Sequence, residues 1–247
     1  MGELIAVLSG KGGTGKTSIC SGVATALASL GEKVLCIDCD VGLRNLDISL
    51  GMSECGALSF LDVCEGGYSL EQATRSPHFA HLFFLTAPMN RPVSEIDPES
   101  FRKMLQQARK KFDHVFLDAP AGIDAGFQLA AKFADRILLV TGADPAAIRD
   151  AARAGELLEL MGKKDVRLVV NRVNRKMVRT MELTIDDVMD NTGLPLLGVV
   201  PEDAGVTLSA AFGRPLLSYG EPRRGAAKAC LCIAKRIQGL PVPISIR

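Results

Sequence analysis

The sequence predicts an α/β fold with a doubly wound, mainly parallel sheet and helices on both of its faces. Short apolar runs rich in Val, Ile and Leu alternate with helical patterns along the chain, and such near-continuous apolar strands are typical of a parallel sheet covered on both faces. No linker rich in Pro, Gly or Ser and no internal repeat divides the 247 residues. We therefore expect a single domain over 1–247 that ends in a short irregular tail over 239–247.

Seven apolar runs are the candidate strands of this sheet. They cover residues 4–9, 33–38, 82–86, 114–118, 136–141, 167–171 and 196–200. Helical patterns lie over 18–30, 98–111, 145–161 and 184–191, and residues 223–238 are expected to form a last helix that packs on the sheet. In such a sheet, functional residues are expected where the strands end at the carboxyl edge.

Composition limits the classes of function. Hydrophobic residues make up 47% and charged residues 23% of the chain, and the net charge of +1 gives no global basic field that would attract nucleic acid or an anionic membrane. The chain enters a strand without a signal sequence, and no apolar run approaches the ~20 residues of a membrane span. A cytoplasmic protein with free thiols is expected. Cys36 and Cys39 form a C-x-x-C, but residues three apart on a strand point to opposite faces, so no metal site is expected there.

A phosphate-binding loop follows the first strand. Its spacing is G-x-x-x-x-G-K-T, in the strand, loop and helix context that this motif requires. The glycines let the backbone bring N–H groups close to phosphate oxygens, and the start of the helix adds partial positive charge. Lys16 is expected to contact the β- and γ-phosphates, and the Thr17 hydroxyl is expected to bind Mg²⁺. The predicted nucleotide contacts of this loop are Gly10, Lys11, Gly12, Gly13, Thr14, Gly15, Lys16, Thr17 and Ser18.

Lys11 is a second lysine, at a position where a generic phosphate-binding loop accepts almost any residue. The form K-G-G-T-G-K-T resembles the deviant Walker A motif of the MinD/ParA family of dimeric P-loop ATPases. In that family the extra lysine reaches across a dimer interface to the ATP of the partner. The resemblance therefore implies an ATP-dependent homodimer with slow hydrolysis, and it implies Lys11, Lys16 and Asp40 as catalytic residues.

Two further strands end in carboxylates. The stretch D-x-D-x-G-L-R-N-L-D, which begins at Asp38, resembles switch I of the MinD branch of the family. The resemblance implies that Asp40 orients the hydrolytic water while Asp38 supports the side of Lys16 and Mg²⁺. Asp118 ends the fourth strand in a Walker B pattern, whose carboxylate holds Mg²⁺, often through water, and Gly122 in the following D-x-P-A-G turn is expected to offer its N–H to the γ-phosphate. The predicted Mg²⁺ ligands are thus Thr17, Asp38 and Asp118.

The last two strands end in residues that resemble the base-recognition positions of the family. These are Asn171, Arg172, Pro201, Glu202 and Asp203. The asparagine amide can pair with the edge of adenine, and the loop after the seventh strand can offer backbone groups to the exocyclic amine. A GTPase would carry N-K-x-D, whose aspartate reads the guanine amine, and that motif is absent here. ATP is therefore the expected nucleotide.

The resemblance also bears on partners. Arg149 and Asp150 match a position at which MinD proteins contact a regulatory partner at the dimer seam, although a charged helix face would give the same pattern. MinD proteins end in a basic amphipathic helix that inserts into the membrane, but the tail over 239–247 has two prolines and one basic residue and does not form one. A cytoplasmic location is expected, with a peripheral position at the inner face of the membrane as the alternative.

Several functions remain open within this family. Placement of the cell-division site is the expected one, and placement of flagella is an alternative. A ParA-type function in DNA partitioning would use basic surface such as the run Arg172, Arg175, Lys176 and Arg179. A solvated loop would give the same run and no helix-turn-helix segment precedes the loop, so DNA binding is not the expected function.

Overall fold

One eight-stranded sheet organises the part of the chain that the structure describes. The structure is a computed structural model that describes residues 1–89, 91, 95–219 and 223–244. Its strands are β1 Glu3–Leu8, β2 Val34–Asp38, β3 Thr74–Arg75, β4 Leu82–Leu85, β5 His114–Asp118, β6 Arg136–Thr141, β7 Val166–Val173 and β8 Leu196–Pro201. They lie in the order β3-β4-β2-β5-β1-β6-β7-β8, and all neighbours run parallel except β3 with β4.

Helices connect these strands and cover both faces of the sheet. They are α1 Lys16–Ser29, α2 Leu46–Ser49, α3 Phe60–Cys64, α4 Pro98–Lys111, α5 Ala125–Phe133, α6 Pro145–Leu160, α7 Arg175–Thr180, α8 Ile185–Thr192, α9 Ala204–Ala211, α10 Leu216–Tyr219 and α11 Gly225–Ile237. The alternating pattern of β1 shows how the two layers form. Leu4, Ala6 and Leu8 join an apolar cluster that contains buried residues of α4, α5 and α6, while Ile5 and Val7 join a second cluster that contains those of α1 and α11.

The predicted doubly wound α/β fold is confirmed, and all seven predicted strands are present. The eighth, β3, has two residues and pairs antiparallel with β4 at the edge of the sheet. Two residues are too few to produce a periodic pattern, which explains why the sequence did not predict this strand. The first helix begins at Lys16, two residues earlier than predicted.

The C-x-x-C residues lie on opposite faces of the sheet, as their spacing predicts. Cys36 packs in the cluster beneath α1, and Cys39 packs in the cluster on the other face. All seven cysteines are free thiols. Within the described ranges, no group of three or more His, Cys, Asp or Glu side chains is placed to hold a metal ion.

The last helix packs on the sheet through its apolar face. Its buried residues are Ala226, Ala227, Cys230, Ile233, Ala234 and Ile237, which lie against α1 and β8. Residues 239–244 of the predicted tail have no regular secondary structure, and residues 245–247 lie outside the described ones. The Arg236 guanidinium holds this segment by donating to the carbonyl oxygens of Val242 and Pro243. Among the described helices, none is both long and apolar enough to cross a membrane.

Candidate nucleotide-binding site

The predicted phosphate-binding loop connects β1 with α1 at the carboxyl edge of the sheet. Gly13 and Gly15 have φ angles of +80° and +82°, a region that residues with a Cβ atom rarely adopt. Gly10 is required for a different reason, because a Cβ atom there would lie 2.2 Å from the carbonyl oxygen of Asp150 in α6. The loop therefore packs directly against the start of α6, and two of its glycines allow its turns.

Lys16 and Asp118 form a buried ion pair beneath this loop. The Nζ of Lys16 lies 2.7 Å from Oδ1 of Asp118, and their side chains are 7% and 1% exposed. Burial alone would lower the pKa of Lys16, but the charge and hydrogen bond of Asp118 outweigh burial and raise that pKa. The Lys16 ammonium group also donates to the Thr17 hydroxyl at 3.4 Å. The structure thus brings together two predicted site residues that are 102 positions apart in the sequence.

Asp38 adds a second buried carboxylate to this pair. It lies opposite Asp118 in the register of β2 and β5, and it accepts hydrogen bonds from the backbone N–H groups of Asp40 and Leu46. Burial, followed by the negative charge of Asp118, raises the pKa of Asp38 to about 7. Carboxylate and hydroxyl oxygens are ligands that suit Mg²⁺. The donor set of Thr17, Asp38 and Asp118 therefore fits the predicted cation.

The raised pKa of Asp38 predicts a pH dependence for the nucleotide-free protein. Because the folded pKa of about 7 lies above the ordinary value of 3.8, the folded state binds the proton more tightly, so this contribution to stability is lost as the pH rises through 7. The slope is at most about 1.4 kcal/mol per pH unit. We expect the melting temperature of Asp38→Asn, relative to the unmodified protein, to rise between pH 6 and pH 8. A constant difference across that range would contradict the prediction.

Two sets of hydrogen bonds hold switch I in this structure. Oδ1 of Asp40 accepts hydrogen bonds from the N–H groups of Gly42 and Leu43, both at 3.2 Å, so this half-buried carboxylate closes a turn of its own loop. Arg44 has a φ of +48° and donates twice to the Thr86 hydroxyl at the end of β4. The role of Asp40 in orienting water stays a prediction, and it requires the carboxylate to turn from its loop toward the phosphates.

The N–H of Gly122 is already occupied. It donates to the carbonyl oxygen of Ser9 at 3.2 Å, and Gly122 has a φ of +94°. The sequence prediction assigns this N–H to the γ-phosphate. That contact would require the bond to Ser9 to break. The end of switch II, the D-x-P-A-G turn over residues 118–122, is thus joined in this structure to the residue that precedes the phosphate loop.

Lys11 pairs with an acidic residue of its own chain. Its Nζ lies 3.2 Å from Oδ1 of Asp144, and the two side chains are 34% and 50% exposed. The same carboxylate caps α6 by accepting a hydrogen bond from the N–H of Ala147. Arg149 on this helix is exposed and Asp150 is half-buried, and their role in partner contact stays a prediction. Asp144, which is 133 positions from Lys11 in the sequence, is not among the predicted site residues.

The predicted base-recognition residues line one cavity of about 440 Å³ beside the loop. Asn171 is 5% exposed, and its amide donates to the carbonyl oxygen of Thr14 at 2.8 Å. The Asp203 carboxylate is committed to structure, because it accepts hydrogen bonds from the N–H of Gly205 at the start of α9 and from that of Ala226 at the start of α11. Use of backbone groups of this loop by the base stays a prediction.

The floor of this cavity was not predicted. It consists of apolar residues from four helices: Ile19, Val206, Leu216, Ala226 and Cys230. Each of these residues fits an ordinary helix pattern, so nothing local in the sequence distinguishes it from the rest of the core. An apolar cavity with a few polar groups at its rim suits a planar base.

The chain matches a family model and many known proteins. Residues 5–216 match the CobQ/CobB/MinD/ParA nucleotide binding domain. The septum site-determining protein MinD of Synechocystis is 36% identical, with 98% of this chain and 92% of that protein covered. MinD of Bacillus subtilis is 36% identical over 100% of this chain and 92% of its own length.

Solved structures give the same result. The MinC:MinD cell division protein complex of Aquifex aeolicus matches with a TM-score of 0.90 and 34% identity, and 98% of both chains is covered. MinD of Pyrococcus horikoshii complexed with Mg-ADP matches with a TM-score of 0.84 and 28% identity over 96% of both chains. A ParA family ATPase of Chlorobium tepidum, at 20% identity and a TM-score of 0.82, shares the fold.

Proposed function

The chain belongs to the CobQ/CobB/MinD/ParA family of nucleotide-binding domains, and from that premise we propose that it is a MinD-type ATPase that helps to place the cell-division site. The observation that carries this proposal is similarity over nearly the full chain to septum site-determining MinD proteins. The MinD/ParA members of the family are ATPases, and the chain retains the phosphate loop, Lys16, Asp40 and Asp118. The alternatives of flagellar placement and DNA partitioning are not favoured by these matches.

Residues 1–247 are proposed to act as a single domain. Its proposed cycle begins when a nucleotide binds. The N–H groups of the loop and the ammonium group of Lys16 hold the phosphates, while Asn171 and the β8 loop hold the base. For Lys16 to do so, it exchanges its bond with Asp118 for a phosphate oxygen. Thr17, Asp38 and Asp118 would hold Mg²⁺, which neutralises phosphate charge. Asp40 then orients the attacking water, and release of phosphate frees both switches.

Two chains are proposed to close on their nucleotides. Each Lys11 would leave Asp144 of its own chain and contact the phosphates bound to the other chain, where a cation stabilises developing charge. A regulatory protein is proposed to bind at the seam near Arg149 and Asp150, which is supported by the match to MinD in a MinC:MinD complex. The proposed location is cytoplasmic, with peripheral contact at the inner face of the membrane.

Replacing Lys11 tests this proposal. We expect Lys11→Ala to weaken ATP-dependent dimerisation at least tenfold, because the cation that joins the two sites is lost. Sedimentation velocity with ATP and with ADP measures the dimer fraction over a range of protein concentrations. Lys164→Ala is the control, since Lys164 is an exposed lysine at the opposite edge of the sheet.

Asp144→Asn is the complementary variant. Asparagine still caps α6 but does not form an ion pair with Lys11. Because Lys11 is then easier to release toward the other chain, the dimer is expected to form at lower protein concentration. Dimers of Lys11→Ala as strong as those of the unmodified protein would contradict the proposed exchange of Lys11 between chains.

A further inference from the structure

Two consecutive peptide units of the phosphate loop are held by side chains from the end of β7. Nη1 of Arg172 donates to the carbonyl oxygen of Gly13 at 3.1 Å, and Nδ2 of Asn171 donates to the carbonyl oxygen of Thr14 at 2.8 Å. The donors and acceptors are separated by 159 and 157 positions in the sequence. The loop is therefore fixed from a strand that is two places away from β1 in the sheet.

These two bonds decide where the N–H groups of the loop point. A trans peptide is planar, and its C=O and N–H bonds point in opposite directions. The described chain has no cis peptide bond. Since the Gly13 and Thr14 carbonyls face β7, the N–H groups of Thr14 and Gly15 face away from it. An anion-binding loop holds a phosphate with backbone N–H groups that point into the loop.

The backbone shows strain where this contact is made. Arg172 has a φ of +56°, which is uncommon and unfavourable for a residue with a Cβ atom. Gly15 has no room for a side chain, because a Cβ atom there would lie 2.3 Å from Nδ2 of Asn171. The end of β7 and the loop are thus so close that position 15 accepts only glycine.

Arg172 is also placed between the two parts of the proposed nucleotide site. It lines the cavity for the base, and its guanidinium lies 4.0 Å from the carboxylate of Glu202 in the β8 loop. Glu202 in turn accepts a hydrogen bond from the Asn174 amide. The side chain is 62% exposed, so its charge is largely hydrated and its specific contact is the one with Gly13.

We propose that Arg172 is a positioning residue for the polyphosphate part of the ligand, acting through the Gly13 carbonyl rather than by reading the base. The inference rests on the proposed function only in that a nucleotide binds at this loop. With the Gly13–Thr14 peptide held, the Thr14 N–H is oriented before the ligand arrives. Without the guanidinium, that peptide must be ordered at the expense of binding free energy.

The test compares a ligand with a base and a ligand without one. Mg-ATP and Mg-tripolyphosphate are titrated calorimetrically into the unmodified protein and into Arg172→Gly. Glycine is chosen because it adopts a positive φ without steric cost. We expect both affinities to fall by the same factor, about five- to tenfold, as for loss of one ordinary hydrogen bond. Arg179→Ala, which removes an exposed charge from α7, is expected to change neither affinity more than about twofold.

A second readout follows the loop itself. Amide hydrogen exchange of Thr14 in the nucleotide-free protein is expected to be faster in Arg172→Gly than in the unmodified protein and in Arg179→Ala. Arg172→Lys, which keeps one donor at similar reach, is expected to recover part of the tripolyphosphate affinity.

Three outcomes would overturn the inference. Loss of ATP affinity with unchanged tripolyphosphate affinity would mean that Arg172 reads the base. An equal loss in Arg179→Ala would mean that net charge, not the Gly13 contact, is responsible. Unchanged affinities in Arg172→Gly would remove the residue from phosphate binding. Failure of the proposed function appears separately, as an unmodified protein that binds ATP without dimerising or hydrolysing it.

Discussion

Lys16→Ala is expected to abolish nucleotide binding and to destabilise the folded protein at the same time. The substitution removes the ammonium group that pairs with the buried carboxylate of Asp118. Breaking a buried ion pair by removing one partner typically costs about 3–5 kcal/mol of unfolding free energy. Burial raises the pKa of Asp118, so the carboxylate can take up a proton and the loss should be smaller at pH 5 than at pH 8. Urea denaturation at both pH values measures it.

A double variant separates the two effects of Lys16. Lys16→Ala combined with Asp118→Asn leaves no unpaired charge from that pair, so most of the lost stability is expected to return. Nucleotide binding, followed by calorimetry with Mg-ATP, is expected to stay undetectable in both variants. A single variant as stable as the unmodified protein would contradict the structural part of the prediction, and ATP binding of normal affinity would contradict the assignment of Lys16 to the phosphates.

Asp40→Ala is expected to lower the rate of ATP hydrolysis at least about 100-fold while nucleotide binding persists, because a group that positions the attacking water contributes in that range. The structure explains why the two properties separate. The Asp40 carboxylate is half-buried, and its bonds are to N–H groups of its own loop rather than to the phosphate loop. Phosphate release measures turnover, and sedimentation with ATP is expected to show accumulated dimers.

Asp40→Asn is the matched control for the turn. It keeps an oxygen that accepts from Gly42 and Leu43 but removes the negative charge. The two variants are therefore expected to lose hydrolysis to a similar extent. If Asp40→Asn were as active as the unmodified protein, the carboxylate would shape switch I without acting on water, and turnover unaffected in both would exclude Asp40 from the reaction.

The sequence predicted the central part of the site because parallel strands bring their carboxyl ends together. Lys16 follows β1, Asp118 ends the neighbouring β5, and Asp38 ends β2 on the other side of β5. Order in the chain and a strong motif were sufficient to place these three residues. No knowledge of side-chain conformation was needed.

The remaining contacts depend on information that the sequence does not display locally. The sequence pattern around Asp144 indicates only a helix cap. Its pairing with Lys11 depends on the position of β6 next to β1. The bond from Arg172 to Gly13 depends on a left-handed backbone at a residue that rarely adopts it. Neither feature leaves a periodic signal, so both appear only when the strand order is known.

The Asp203 carboxylate has a mechanical consequence. One side chain accepts hydrogen bonds from the first turns of both α9 and α11. Position 225 requires glycine, because a Cβ atom there would lie 2.0 Å from the Asp203 carboxylate. The first turns of two helices that line the base cavity are therefore linked through one side chain. Because both helices line the cavity, these two hydrogen bonds give a direct path by which a displacement of one first turn reaches the other.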